Sequence, residues 1–169
     1  MDDLTLQDLA GKVGSALAQQ GLMLASAESC TGGWLGQTIT SIAGSSVWYE
    51  RGFITYAVIS KREMLGVSGA TLEQYGAVSE EIAYEMAEGA IARSHAQVAV
   101  SVTGIAGPDG GSAEKPVGMT CFAWIIKDGL ARTEIRYFSG SREAIRRQAV
   151  AGALQGVIDL LRGIPPMVA

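Results

Sequence analysis

At 169 residues the chain has the length of one domain, and 48% hydrophobic against 18% charged residues excludes a disordered composition. Its formal net charge of −4, from 13 Lys and Arg against 17 Asp and Glu, lacks the basic excess that binding a phosphate backbone requires, so no nucleic-acid partner is expected. The 22 glycines, beside only 4 prolines and without a collagen-type repeat, point to tight backbone turns.

The N-terminus is acidic where a secretory signal would be basic and then apolar, and the strongest apolar stretch, Met119–Ile126, falls far short of the roughly 18 residues needed to span a bilayer. A cytoplasmic protein without membrane contact is the expectation. Cys30 and Cys121 are too few for a disulfide framework and, with His95 as the lone histidine, too few for a structural zinc site; both thiols are read as reduced.

Apolar spacings of three and four over residues 5–20 predict an amphipathic helix stopped by Gly21. Residues 22–27 read as a short buried strand. A glycine turn, Glu28-Ser29-Cys30-Thr31-Gly32-Gly33, leads into a helix over 34–40, with Thr31 as the expected N-cap. A second strand is predicted over 47–56. Ser60 followed by Glu63 fits a capping box that starts a helix near Lys61. Ser79, backed by Glu80 and Glu81, caps a helix that continues to Ala92, and residues 98–103 form a β-branched central strand. A long glycine-rich loop runs from Gly104 to Pro116, a length that compact domains usually reserve for function. Strands over 117–126 and 131–138 flank Asp128-Gly129, a hairpin signal, and are expected to be antiparallel. Ser141 caps the last helix, which Gly163 and Pro165-Pro166 end. Together these elements predict a single three-layer α/β/α domain over residues 1–169, with a mixed sheet of about five strands and a C-terminal antiparallel hairpin.

Both glycine turns follow strands, and in open α/β sheets ligands collect beyond the carboxyl ends of strands. Neither turn has the lysine and hydroxyl of a phosphate loop or the spacing of a dinucleotide fingerprint. The first offers backbone N–H groups at a helix start beside the hydroxyls of Ser29 and Thr31, suited to an anion or oxyanion, although a cap plus a steric turn explains the same residues. Ser45-Ser46 precede Tyr56 and Lys61. A desolvated lysine can act as base to a serine nucleophile, but spacing alone favours an exposed Lys61 in a first helical turn. Cys30 is the rival nucleophile, yet its natural base, His95, is expected at the opposite end of the sheet. Glu28 and Asp109 adjoin the turns without a third ligand, so no metal site is expected. Arg142 opens the last helix, where a cation is unfavourable unless it holds an anion; the plainer reading is a solvated side chain beside Arg146 and Arg147.

Several ordered motifs, namely residues 28–33, Gly44-Ser45-Ser46 with Tyr49, Gly52, Tyr56 and Lys61, Gly76-Ala77-Val78-Ser79, Thr103-Gly104-Ile105-Ala106-Gly107-Pro108, Gly110-Gly111 and Pro116-Val117-Gly118, together resemble the C-terminal domain of the CinA competence/damage-inducible family. The resemblance extends from about residue 5 to 161. Stand-alone members are similar to nicotinamide-nucleotide amidohydrolases, which convert nicotinamide mononucleotide and water to nicotinic acid mononucleotide and ammonia, so the resemblance implies a pyridine-nucleotide substrate and no metal or organic cofactor. It also implies Ser46 as nucleophile, Lys61 as base and Tyr56 as an aid to proton transfer. Ser29, Thr31, Gly32, Gly33, Thr103 and Gly104 would contact the substrate, and Arg142 its phosphate. The larger members' additional N-terminal domain, which resembles molybdopterin-binding folds, is not matched here. A homo-oligomer is expected, since small α/β enzymes with an apolar surface helix often pair or close into rings. A non-catalytic nucleotide-binding or regulatory module, and an amidase built on Cys30, are the competing readings.

Overall fold

The computed structural model describes residues 2–163. From the N-terminus the elements are α1 (Asp3–Gln19), β1 (Leu24–Glu28), α2 (Trp34–Thr40), β2 (Tyr49–Ile54), α3 (Val58–Leu65), α4 (Gly69–Tyr75), α5 (Glu80–Ala92), β3 (Val98–Gly104), β4 (Met119–Ile126), β5 (Ala131–Tyr137) and α6 (Arg142–Arg162), with a 3-10 turn at Ser45–Val47. The strands form one five-stranded sheet in the order β2-β1-β3-β4-β5. β1 is parallel to both β2 and β3, whereas β4 runs antiparallel to β3 and β5. This is the mixed α/β sheet that the alternation of elements predicts.

The three central strands are covered on both faces, and their side chains alternate between two cores. Val98, Val100 and Val102 of β3 and Phe122 and Trp124 of β4 pack with Leu6, Val13 and Leu17 of α1, Leu35 and Ile39 of α2, and Leu154 and Val157 of α6. Ala99 of β3 and Cys121, Ala123 and Ile125 of β4 face the other way, against Leu65 of α3 and Ile82, Met86 and Ala90 of α5. Each large side chain fully withdrawn from water contributes roughly 1.5–3 kcal/mol, so the two cores hold the sheet rigid and leave its carboxyl-end turns to carry chemistry.

Local chemistry accounts for the helix boundaries. Ser79 and Ser141 cap α5 and α6 by accepting the N–H groups of Ile82 and Ala144 at 3.3 and 3.2 Å. α3 departs from the expected capping box: it begins at Val58 behind an extended Ala57, and the Ser60 hydroxyl donates back to the Ala57 carbonyl at 2.6 Å. Lys61 consequently lies within the helix rather than at its start. α4 carries no buried residue and so leaves no amphipathic pattern in the sequence; Ser68 caps it by accepting the Thr71 N–H. The second strand begins at Tyr49, two residues later than expected, because Val47 belongs to the 3-10 turn. Gly163 follows α6, while the Pro165-Pro166 stop lies outside the described residues. Among the described residues no helix is long and apolar enough to cross a membrane.

Candidate active site

The turn after β1 brings Ser29 to the carboxyl end of the sheet. Its N–H bonds the Val102 carbonyl at 2.9 Å, which extends the β1–β3 pairing by one step, and its own carbonyl accepts the Gly32 N–H at 3.1 Å in a tight turn. Beside it, β2 is held to the end of β1 by Thr55 N–H donating to the Glu28 carbonyl at 2.8 Å. That contact places the Thr55 and Tyr56 carbonyls under the first turns of α3, whose Lys61 points inward.

Lys61 is only 1% exposed. Its Nζ lies 2.9 Å from Ser29 Oγ, 2.6 Å from the Thr55 carbonyl and 3.4 Å from the Tyr56 carbonyl. None of these partners carries a charge. Burial therefore lowers the Lys61 pKa from the ordinary lysine value of 10.5, because water no longer solvates the ammonium, and the neighbouring Cys30 offsets this only in part. A neutral amine has two N–H groups and one lone pair. The two carbonyls can only accept, so they take the N–H groups, and the lone pair is left to face the Ser29 hydroxyl. This arrangement suits a base drawing a proton from an alcohol.

The expected dyad of Ser46 with Lys61 is not assembled. Ser46 is exposed on the 3-10 turn that precedes β2. Since β1 and β2 are parallel, with Leu24 opposite Tyr49 and Glu28 opposite Ile54, that turn lies at the amino end of the sheet. Ser29 lies at the carboxyl end. The length of β2, roughly 3.3 Å per residue, separates Ser46 from Lys61. Ser29, expected only as a substrate contact, occupies the position beside the amine. The sequence signal for it is a serine directly after a buried strand, at the start of a glycine turn.

Of the groups expected to contact substrate, the Thr31 hydroxyl and the Gly33 amide are held by Glu28. The buried Glu28 carboxylate accepts from Thr31 Oγ1 at 2.6 Å, Gly33 N–H at 3.1 Å and Leu35 N–H at 2.9 Å through Oε1, and from Gly36 N–H at 3.0 Å through Oε2. The first amides of α2 are thus satisfied by an internal carboxylate, and Gly33 rather than Thr31 precedes the helix. Gly32 and Gly33, at φ 59° and 100°, supply the left-handed backbone that turns the chain around this carboxylate, and the Gly32 amide stays on the Ser29 carbonyl.

A cleft of about 210 Å³ opens over the amine, with Ser29, Lys61, Tyr56, Thr103, Gly104 and Arg142 in its walls. The Thr103 hydroxyl donates to the Ala77 carbonyl at 2.8 Å and so fastens the α4–α5 linker to the sheet. Gly104 leaves no room for a side chain: an added Cβ would lie 2.9 Å from Thr120 Oγ1 and 3.2 Å from Cys30 Sγ. Arg142 crosses the mouth, donating to the Gly107 carbonyl and to Tyr56 Oη, each at 2.8 Å. Those partners leave its positive charge without a carboxylate, unlike Arg147, which pairs with Asp3 and Glu143.

Cys30 is a poor nucleophile in these surroundings, since burial pushes its thiol up to about 12. His95 is exposed on the α5–β3 connection at the amino end of the sheet, away from the cleft as the sequence suggests. Among the described residues no three His, Cys, Asp or Glu side chains gather as a metal-binding group. A larger groove of about 790 Å³ between α5 and the β4–β5 turn holds Arg93, Lys127 and Asp128 but no comparable pair of base and hydroxyl.

Fold and cleft define an α/β domain with a lysine–serine pair at the carboxyl ends of parallel strands, and the chain belongs to the CinA C-terminal domain family, matched over residues 6–161. Nicotinamide-nucleotide amidohydrolase PncC of Enterobacter agglomerans is 54% identical over 155 residues, covering 92% of this chain and 94% of that protein. The protein of the same name from Escherichia coli strain K12 shares the same identity and coverage. Among solved structures, the competence/damage inducible protein CihA from Agrobacterium tumefaciens superposes with a TM-score of 0.89 at 46% identity, covering 92% of this chain and 95% of that one.

Proposed function

We propose that the protein hydrolyses the carboxamide of nicotinamide mononucleotide to nicotinic acid mononucleotide and ammonia, with Ser29 as nucleophile and Lys61 as base. The reading is carried by one observation: a buried amine, with its other hydrogen bonds made to carbonyls, lies 2.9 Å from the Ser29 hydroxyl. The relatives named nicotinamide-nucleotide amidohydrolase supply the substrate class.

Lys61 removes the Ser29 proton as Oγ attacks the carboxamide carbon, and the carbonyl electron pair moves to oxygen. The amide N–H of Cys30, a residue of the cleft wall, directly follows the nucleophile in a turn, the position from which a backbone donor holds an oxyanion. Collapse of the tetrahedral intermediate breaks the C–N bond, and the nitrogen takes up the proton held by Lys61 and leaves as ammonia. Tyr56 Oη accepts from Arg142 and so keeps its own proton free to aid that transfer. Lys61, neutral again, deprotonates a water that attacks the ester, releasing the pyridine carboxylate and restoring Ser29. Arg142, a cation without a carboxylate at the cleft mouth, is the group for the substrate phosphate.

The test is ammonia release from nicotinamide mononucleotide. Ser29→Ala and Lys61→Met should each lower kcat by roughly a thousandfold or more, while Ser46→Ala stays near wild type. Full activity in Ser29→Ala would overturn the assignment, and a loss confined to Ser46→Ala would return the nucleophile to the 3-10 turn.

A further inference from the structure

The linker between α4 and α5, Gly76-Ala77-Val78-Ser79, has no helix or strand of its own, yet side chains hold every carbonyl from Tyr75 to Val78. Ser79 Oγ donates to the Gly76 carbonyl at 2.9 Å and Thr103 Oγ1 to the Ala77 carbonyl at 2.8 Å. The outer two, of Tyr75 and Val78, both accept from Lys115 Nζ, the second at 2.7 Å. Lys115 is half-buried in the long loop between β3 and β4. A tight turn fixes its backbone: the Lys115 carbonyl accepts the Ser112 N–H at 2.8 Å, and Ser112 Oγ accepts the Lys115 N–H at 3.0 Å. Gly76, at φ 77°, leaves room for the ammonium, since a Cβ there would lie 3.1 Å from Lys115 Nζ.

Tyr75 is the last residue of α4, so one arm of the ammonium satisfies a helix-end carbonyl, as a lysine near any helix C-terminus can. The other arm reaches past the helix end to Val78 and closes the linker around the amine. Hydrogen bonds from a charged donor are stronger than neutral ones, so this clasp resists movement of the linker. It bears on the site because the linker is part of the cleft. Ala77 and Val78 are half-buried and share the cleft wall with Ser29, Lys61 and Tyr56. With Val58 and Ala106 they form its apolar lining, the portion suited to a flat ring.

We propose that Lys115 is a positioning residue: by holding the Tyr75 and Val78 carbonyls it sets the Ala77–Val78 wall against the pyridine ring of the substrate, without touching substrate itself. The inference rests on the pyridine-nucleotide reading of the cleft and assigns ring recognition within it. The wall meets the ring in the ground state and the transition state alike, so losing Lys115 raises KM more than it lowers kcat.

The experiment compares wild type, Lys115→Met, Lys115→Arg and Ser29→Ala for kcat and KM of ammonia release from nicotinamide mononucleotide and for the Kd of nicotinic acid mononucleotide. In Lys115→Met, KM and the product Kd should each rise roughly tenfold, with kcat at saturation within about threefold of wild type. Lys115→Arg, which keeps a charged donor with several N–H groups, should recover most of the affinity. A lysine serving the fold alone would change how much enzyme is folded, lowering apparent kcat at unchanged KM. That result, or wild-type KM and Kd in Lys115→Met, would overturn the positioning role. Should Lys115→Met not fold, Lys115→Gln, which keeps an amide donor, carries the same comparison with the same direction expected. Wild type that releases no ammonia and binds neither nucleotide would instead remove the substrate reading, and the proposal with it. Ammonia release surviving in Ser29→Ala would remove the dyad while leaving the KM comparison to decide on Lys115, so the failures are told apart.

Discussion

At the scale of single residues, the protonation state of Lys61 governs both activity and stability. Its amine is chemically useful only when neutral, so kcat/KM should rise with pH along a limb set by Lys61, below the ordinary lysine value of 10.5, and that limb should be absent from the residual rate of Lys61→Met. The stability consequence has the same origin. The folded-state pKa is below the unfolded one, so the unfolded chain binds more protons between the two values, and stability rises with pH across that window. Urea denaturation of wild type between pH 7 and pH 10 should show this gain relative to Lys61→Met, at about 1.4 kcal/mol for each unit by which the pKa is depressed. An unchanged difference between the two proteins across that range would mean that the amine is not held neutral. Cys30 predicts the reverse: with its thiol pushed up to about 12 by burial, iodoacetamide at pH 7.5 should leave activity intact, and Cys30→Ala should retain turnover within a few fold. Spacing alone favours an exposed Lys61, and only the family resemblance points to it as a base; neither places Ser29 beside its amine. Which hydroxyl it meets depends on β2 lying parallel to β1, a tertiary fact that carries Ser46 to one end of the sheet and Ser29 to the other.

At the scale of elements, the link between β1 and α2 depends on a carboxylate. Glu28 is the last residue of β1 and accepts four hydrogen bonds from the turn and first residues of α2, so strand and helix share one anchor. Glu28→Gln keeps the shape but replaces an acceptor oxygen with an NH₂ that cannot accept. At least one buried donor loses its partner, and the charge opposite the amides is lost as well. A destabilisation of roughly 2–4 kcal/mol is expected, measured by chemical denaturation, with turnover falling further because Ser29 lies next in the chain. A stability equal to wild type would show that the turn is held by its glycines alone. The strands, the capped starts of α5 and α6 and the antiparallel pairing of β4 with β5 were legible because period, caps and Asp-Gly chemistry are local signals. Ser60 with Glu63 misled for a physical reason: an extended Ala57 lets the helix begin earlier, and the Ser60 hydroxyl then bonds back into the first turn. Thr31 misled in a similar way, its hydroxyl drawn to Glu28 and away from the cleft.

At the scale of the molecule, the cleft is built where segments far apart in sequence converge on the carboxyl ends of β1 and β3. Thr103 fastens the α4–α5 linker, Lys115 of the long glycine-rich loop donates to the Val78 carbonyl of that linker at 2.7 Å, and Arg142 ties α6 to that loop at Gly107 and to Tyr56. The glycine excess of the composition thus serves close approach: at Gly104 and Gly111 an added Cβ would press on neighbouring loop and strand atoms at 3.0 Å or less. Because Arg142 bridges the mouth from one side to the other, an anionic ligand that draws its guanidinium inward should bind with stabilisation of the whole domain. Ser29→Ala separates this binding from chemistry. In that variant, nicotinamide mononucleotide at a hundredfold excess over Kd should add about 2.7 kcal/mol and raise Tm by roughly 5–11 °C with no ammonia formed, whereas Arg142→Ala should need far more ligand for the same shift. If wild type itself shows that shift and releases no ammonia on prolonged incubation, the domain is a nucleotide-binding module, and the base beside Ser29 has no substrate of this class to act on.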